Sequence, residues 1–143
     1  MELHKAENIL EVACGTGKLL QLGLQFKRPE CSYLASDLAS NMVKLAQKNL
    51  ENNFNKYESK LSYKEWLNKN NLSFKVLNAE EPIENTKPFD RIICNNVLMI
   101  TSDARKMMTN LYNHSKPGCL FGVNVWGDKN QNNLMIAMRD SIV

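Results

Sequence analysis

Short β-branched runs alternate along this chain with longer stretches of helical period, and that alternation constrains the fold more than any other feature. The runs are Asn8-Ile9-Leu10-Glu11-Val12-Ala13, Ser32-Tyr33-Leu34-Ala35-Ser36, Ser73-Phe74-Lys75-Val76-Leu77, Asp90-Arg91-Ile92-Ile93-Cys94 and residues 120–126. Between them, Leu19, Leu20, Leu22, Leu24 and Phe26 predict a helix closed by Lys27-Arg28-Pro29. From Ser40, the positions Met42, Leu45, Ala46, Leu50, Phe54 and Tyr57 recur three or four apart and predict a long amphipathic helix. Ser62 with Glu65 fits a capping box, and Leu61 with Trp66 a hydrophobic staple, so a short inserted helix is expected over 61–71. Ser102 or Asp103 caps a helix carrying Ala104, Met107, Met108, Leu111 and Tyr112, which Lys116-Pro117-Gly118 is expected to end. A final helix is expected from Asn132 to Ile142. Each crossover helix returns the chain to the same end, so the five strands form a mainly parallel sheet. Such sheets bind ligands at the carboxyl ends of their strands, where strand order reverses. The unusual loops, at 14–17, 37–42, 78–80, 95–96 and 126–128, all fall at such ends.

Composition removes several classes. The 143 residues suit one domain with a real core, and 43% hydrophobic with 23% charged residues is ordinary globular usage. Lys and Arg total 18 against 15 Asp and Glu; a net charge of +3, with scattered basic residues, gives no sign of nucleic acid. The longest uninterrupted apolar run is residues 97–100, too short for a membrane span, and the polar start Met1-Glu2-Leu3-His4-Lys5 is no signal peptide. Cys14, Cys31, Cys94 and Cys119 show no Cys-x-x-Cys spacing, which suits reduced thiols in a cytoplasmic protein without a bound metal.

The first strand runs into Cys14-Gly15-Thr16-Gly17 and then a helix, where two glycines let backbone approach a ligand. A phosphate-binding P-loop is rejected, because Val12 stands at its first glycine and Leu19 at its hydroxyl. A dinucleotide fingerprint is weakened by Leu20 at its third glycine, which leaves a nicotinamide oxidoreductase as a minor alternative. Asp37 ends the second strand about 20 residues past the loop, where a carboxylate can accept both ribose hydroxyls.

Glu11-Val12-Ala13-Cys14-Gly15-Thr16-Gly17 resembles the first motif of class I S-adenosylmethionine-dependent methyltransferases, with Ala13 replacing the first glycine. The resemblance continues through Asp37-Leu38-Ala39-Ser40-Asn41-Met42. It extends to Leu77-Asn78-Ala79-Glu80-Glu81-Pro82, where Asn78 stands for the usual Asp, to the segment from Phe89 to Leu98, and to Lys116-Pro117-Gly118-Cys119. It implies a Rossmann-like, doubly wound sheet of order 3-2-1-4-5 lacking the family's sixth and seventh strands, in a single domain over 1–143 that is incomplete at its carboxyl end. It also implies S-adenosylmethionine as cofactor, bound by Glu11, Ala13, Gly15, Gly17, Asp37, Leu38, Met42, Asn78, Ala79 and Asn95. Leu38 or Met42 would pack on adenine, Asn78 and Ala79 would meet its edge, and Asn95 would lie near the methionine end. No catalytic base stands out: His4 precedes the first strand, and His114 sits at a helix carboxyl end, where a structural role is expected. Cys14 and Cys94 end neighbouring strands and are expected to be buried and inert. The acceptor is expected to be a small molecule, with Trp126-Gly127-Asp128 as a remnant of its wall. Residues 120–126 would form an exposed apolar edge that a partner or missing segment covers. A module that binds the cofactor without turnover is the alternative.

Overall fold

In the computed structural model, the residues described are 1–54, 61–84 and 86–127. After a 3-10 turn at Leu3–Lys5 come β1 (Asn8–Val12), α1 (Lys18–Gly23), β2 (Ser32–Asp37), α2 (Ser40–Phe54) and α3 (Tyr63–Lys69). The chain continues through β3 (Leu72–Val76), β4 (Phe89–Asn95), α4 (Ala104–Asn113) and β5 (Ser115–Asn124). The strands form one sheet in the order β3-β2-β1-β4-β5, and every pairing is parallel. The order reverses between β2 and β4, on either side of β1.

Strand alternation sends two sets of side chains to opposite faces. Ile9, Tyr33, Ala35 and Ile93 pack with Leu20, Ala46, Leu50, Phe54 and Trp66 of α1, α2 and α3. Leu10, Val12, Leu34, Ile92 and Cys94 pack with Met107 and Leu111 of α4 and with Leu77 and Ile83. The stripe on α2 is Val43, Ala46, Leu50 and Phe54, spaced as an amphipathic helix requires. The capping box of α3 forms in full: Ser62 Oγ accepts from the Glu65 amide while the Glu65 carboxylate accepts from the Ser62 amide. Trp66 and Tyr63 then meet Phe54 edge-on at 5.9 and 5.8 Å, docking α3 on α2.

Several boundaries differ from expectation. The first helix stops at Gly23, leaving Leu24 and Phe26 in turns, and Ala13 lies beyond β1 in the left-handed region at φ 56°. Asp103, rather than Ser102, caps α4, its side chain accepting from the Lys106 amide. Lys116-Pro117-Gly118 does not end that helix, which closes at His114; it belongs to β5. Pro117 is tolerated there because β5 is an edge strand. Gly118, at φ 79°, takes up a register shift opposite Phe89 and Arg91. One edge of β5 has no strand beside it among the described residues, and Leu120, Val123, Val125 and Trp126 at this side of the molecule are exposed. Tyr57, Asp128 and the helix expected over 132–142 lie outside the described residues. Among the described residues no helix is long and apolar enough to cross a membrane.

Candidate functional site

A cavity of about 610 Å³ opens at the carboxyl ends of β1, β2 and β4 and the segment after β3, on the α4 side of the strand-order reversal. Its size lies within the roughly 300–1,000 Å³ usual for small-molecule and cofactor sites. Ala13, Gly15, Asp37, Leu38, Met42, Asn78, Ala79 and Asn95 all line it, although they come from four separate stretches of chain.

The loop after β1 is tied down from beneath. The Cys14 amide donates to the Ser36 carbonyl at 2.8 Å, and Ser36 Oγ donates to the Glu11 carbonyl at 2.9 Å. The loop then turns through left-handed backbone at Ala13 (φ 56°), Gly15 (φ 52°) and Gly17 (φ 77°). A Cβ built at Gly15 would meet nothing within 4 Å, so the glycine leaves open space beside the cavity where a ligand can approach main chain. The Gly15 amide is not free, however. It donates to Asp37 Oδ2 at 2.9 Å, while Asp37 Oδ1 accepts from the Ala39 amide at 2.9 Å. Two backbone donors thereby fix the plane of this carboxylate, and about half of its roughly four acceptor sites remain for a ligand.

On the facing side, the Asn78 side-chain oxygen accepts from the Glu80 amide at 3.0 Å, closing a local turn that orients the side chain. Ala79 is buried, and its carbonyl accepts from Asn110 Nδ2 of α4 at 2.9 Å. Leu38 is 69% exposed at the rim, and Met42 is half-buried, facing the cavity rather than lying wholly in the core.

Two expected residues lie elsewhere. Glu11 shares the sheet face of Ile9 and is buried against Tyr33, whose hydroxyl donates to Glu11 Oε2 at 2.7 Å; burial pushes its carboxyl up to about 7. Gly17 is the N-cap of α1, and a Cβ there would come within 3.1 Å of Ala46 Cβ, so its smallness serves the packing of the start of α1 on α2. Neither lines the cavity. Cys14 and Cys94 are buried away from it and burial raises both thiols to about 12; Cys94 borders a separate apolar hollow with Met1, Phe26 and Gly122. His114 is structural: its Nδ1 lies 2.8 Å from the Asn110 carbonyl and its Nε2 accepts from the Ile83 amide at 3.2 Å. Trp126 does not reach the cavity, so the fifth loop stands apart from the other four.

The sequence did not point to the remaining wall. Val97, Ile100, Thr101 and Ser102, between β4 and α4, line the cavity together with Glu80 and Met107. The helix-cap signal at Ser102-Asp103 marked the segment without showing that it folds over the site. Glu80 accepts from the Thr101 hydroxyl, the Ser102 amide and hydroxyl, and the Asp103 amide. Bonds from Thr101 and Ser102 pull its carboxyl down to about 2. Asp37 and Glu80 are the ionisable side chains among the described residues lining the cavity. The open approach at Gly15, the doubly held carboxylate and the apolar faces of Leu38 and Met42 suit an adenosyl group.

Residues 10–121 match the family described as Methyltransferase domain. No curated protein matches the chain. Among solved structures, an S-adenosylmethionine dependent methyltransferase from Mesorhizobium loti is similar at 14% identity and a TM-score of 0.64, covering 87% of this chain and 49% of that one. A SAM dependent methyltransferase from Aquifex aeolicus is similar at 20% identity and a TM-score of 0.64, covering 84% and 56%. The [4+2]-cyclase SpnF is similar at 16% identity and a TM-score of 0.63, covering 81% and 37%. This chain therefore spans about half the length, or less, of these structures.

Proposed function

The chain belongs to the methyltransferase-domain family, and from that premise we propose that it binds S-adenosylmethionine in the cavity at the tips of β1, β2 and β4 and serves methyl transfer to a small-molecule acceptor. The observation that carries this reading is the convergence of Gly15, Asp37, Asn78 and Ala79 on one cavity, with Asp37 already oriented by the Gly15 and Ala39 amides. Asp37 would accept from the ribose hydroxyls, and bonds to a charged acceptor are worth roughly 1.5–3 kcal/mol each. Leu38 and Met42 would pack on the adenine face, Asn78 and Ala79 would meet its edge, and Asn95 would border the methionine end. The bound cofactor supplies an activated methyl carbon on a sulfonium, open to in-line displacement by the acceptor's nucleophile. What the chain itself contributes is position: holding reactants in line at close range removes much of the barrier in such displacements. In this reading the open acceptor sites of Asp37 serve the ribose hydroxyls and Glu80 is engaged by the β4–α4 segment, so neither is assigned as a general base. The acceptor accordingly arrives with a lone pair ready, or is deprotonated by groups outside the described residues. The whole of residues 1–143 acts as one such domain in this reading, and a covering segment or partner shields the β5 side.

The test is thermal: S-adenosylhomocysteine at millimolar concentration raises the melting temperature of the folded chain, whereas an unmoved transition counts against the reading. A second reading, cofactor binding without methyl transfer, is favoured by one observation, that the same fold is found in a protein named as a cyclase. Binding of S-adenosylhomocysteine, with no labelled methyl group transferred across a broad acceptor screen, selects it.

A further inference from the structure

The far half of the wall between β4 and α4, residues 99–103, is held less by burial than by one side chain. Val97 and Leu98 still pack partly buried against the core on the α4 side, but Met99 is 44% and Ile100 76% exposed, so the chain beyond them gains little from it. Its local bonds, from the Ile100 and Thr101 amides to the Val97 carbonyl, close a turn but do not attach that turn to the opposite wall. The attachment comes from Glu80. Ser102 Oγ lies 2.8 Å from both carboxylate oxygens, and the Ser102 and Asp103 amides donate to Oε1 at 2.9 and 3.2 Å; the Thr101 hydroxyl donates to the same oxygen. Four donor groups thus converge on this carboxylate, three on Oε1 alone and the Ser102 hydroxyl within reach of either oxygen. One of them, the amide of the N-cap Asp103, is a backbone group that a helix start leaves without an intrahelical partner.

Glu80 is tied equally firmly to the adenine side of the proposed site. Its own amide donates to the Asn78 side-chain oxygen, and the next residue, Glu81, pairs with Lys106 at 2.6 Å while its carbonyl accepts from Asn110. Resting on the cofactor reading above, we propose that Glu80 is a positioning residue, which sets the width of the cavity by locking the Asn78–Ala79 wall to the Thr101–Ser102 wall. It acts through these donors, which crowd Oε1, rather than by touching the cofactor. Asn78 and the start of α4 therefore move as one unit, and the cavity is ready-made before the cofactor enters.

Three variants of the full chain separate this role from a direct electrostatic one, each measured as the dissociation constant for S-adenosylhomocysteine at a temperature where circular dichroism shows the variant folded. Glu80→Gln keeps an oxygen of the same reach and binds within about threefold of wild type. Glu80→Asp keeps the charge but is one methylene short, and with Glu80→Ala it binds at least about tenfold more weakly. Amide exchange at Ser102 and Asp103 speeds up in those two variants and not in Glu80→Gln. If Glu80→Ala proves unfolded, the Thr101→Val, Ser102→Ala pair removes the side-chain donors instead and weakens binding by about threefold or more. Wild-type affinity in Glu80→Ala or in the donor pair overturns the proposal, as does retention by Glu80→Asp with loss in Glu80→Gln, which would mean that the charge acts on the ligand. A wild-type chain that binds nothing overturns the cofactor reading and this inference with it; the variants of a chain that does bind test the inference alone.

Discussion

Asp37 gathers the site's chemistry into a single side chain, because one carboxylate both fixes the Gly15 turn and faces the cavity. Asp37→Ala removes the acceptor for two backbone amides and, on the proposed cofactor reading, a ligand contact as well. Affinity for S-adenosylhomocysteine falls at least about tenfold, roughly 1.4 kcal/mol, in an equilibrium binding isotherm. Immediately after β1, the alanine at position 13 bears a conformational cost. Left-handed backbone costs a residue with a Cβ roughly 1–2 kcal/mol, against roughly 0.5–1 kcal/mol of extra chain entropy for glycine. Ala13→Gly is therefore stabilising, by up to about 1 kcal/mol, and raises the thermal midpoint by about 2–4 °C. A lowered midpoint would show that the turn is not strained at Ala13. Gly17→Ala works in the opposite sense, since it combines φ 77° with a contact at 3.1 Å on Ala46, and lowers the midpoint.

At the scale of elements, the buried Glu11 gives β1 a pH signature. Its carboxyl rises from an ordinary 4.5 to about 7 in the folded chain because burial disfavours the charged form, with the Tyr33 bond opposing the rise. The folded state then binds the proton more tightly than the unfolded chain between these values, and stability falls as pH rises from about 4.5 to about 7. Above that window the full cost applies, of the order of 3 kcal/mol. Glu11→Gln, which keeps an oxygen for the Tyr33 hydroxyl, leaves stability unchanged near pH 4 and raises it at pH 8 in denaturant titrations. An equal effect at both pH values would contradict the assignment. The place of Glu11 was legible in strand parity, since Ile9 and Glu11 alternate with the Leu10 and Val12 that face α4; the motif match alone suggested the cavity. The strands themselves were legible because buried parallel strands read as β-branched runs. The start of β5 was not: Lys116-Pro117-Gly118 carries every mark of a turn, and only the edge position makes that proline compatible with a strand. Glu80 escaped notice because its partners, Thr101 and Ser102, lie about 20 residues away across a strand, and no local spacing encodes such a contact.

At the scale of the whole molecule, the sheet is covered on both faces over its middle strands β1, β2 and β4. Among the described residues, β5 at one margin has no strand beyond it, and its Leu120 and Val123 are exposed. Long apolar edges are templates for association, and charged residues blunt them. The Leu120→Lys, Val123→Lys double variant therefore lowers the apparent mass in concentrated solution by light scattering; an unchanged, already monomeric value for both chains would contradict this. The cavity sits away from that edge, at the strand-order reversal, so the cofactor reading does not depend on what covers β5. Calorimetric titration of the full chain with S-adenosylhomocysteine and, separately, with NADH tests that reading most directly. Saturable heat near one equivalent of S-adenosylhomocysteine, with none from NADH, is the predicted result; tight NADH binding with no response to S-adenosylhomocysteine would contradict it.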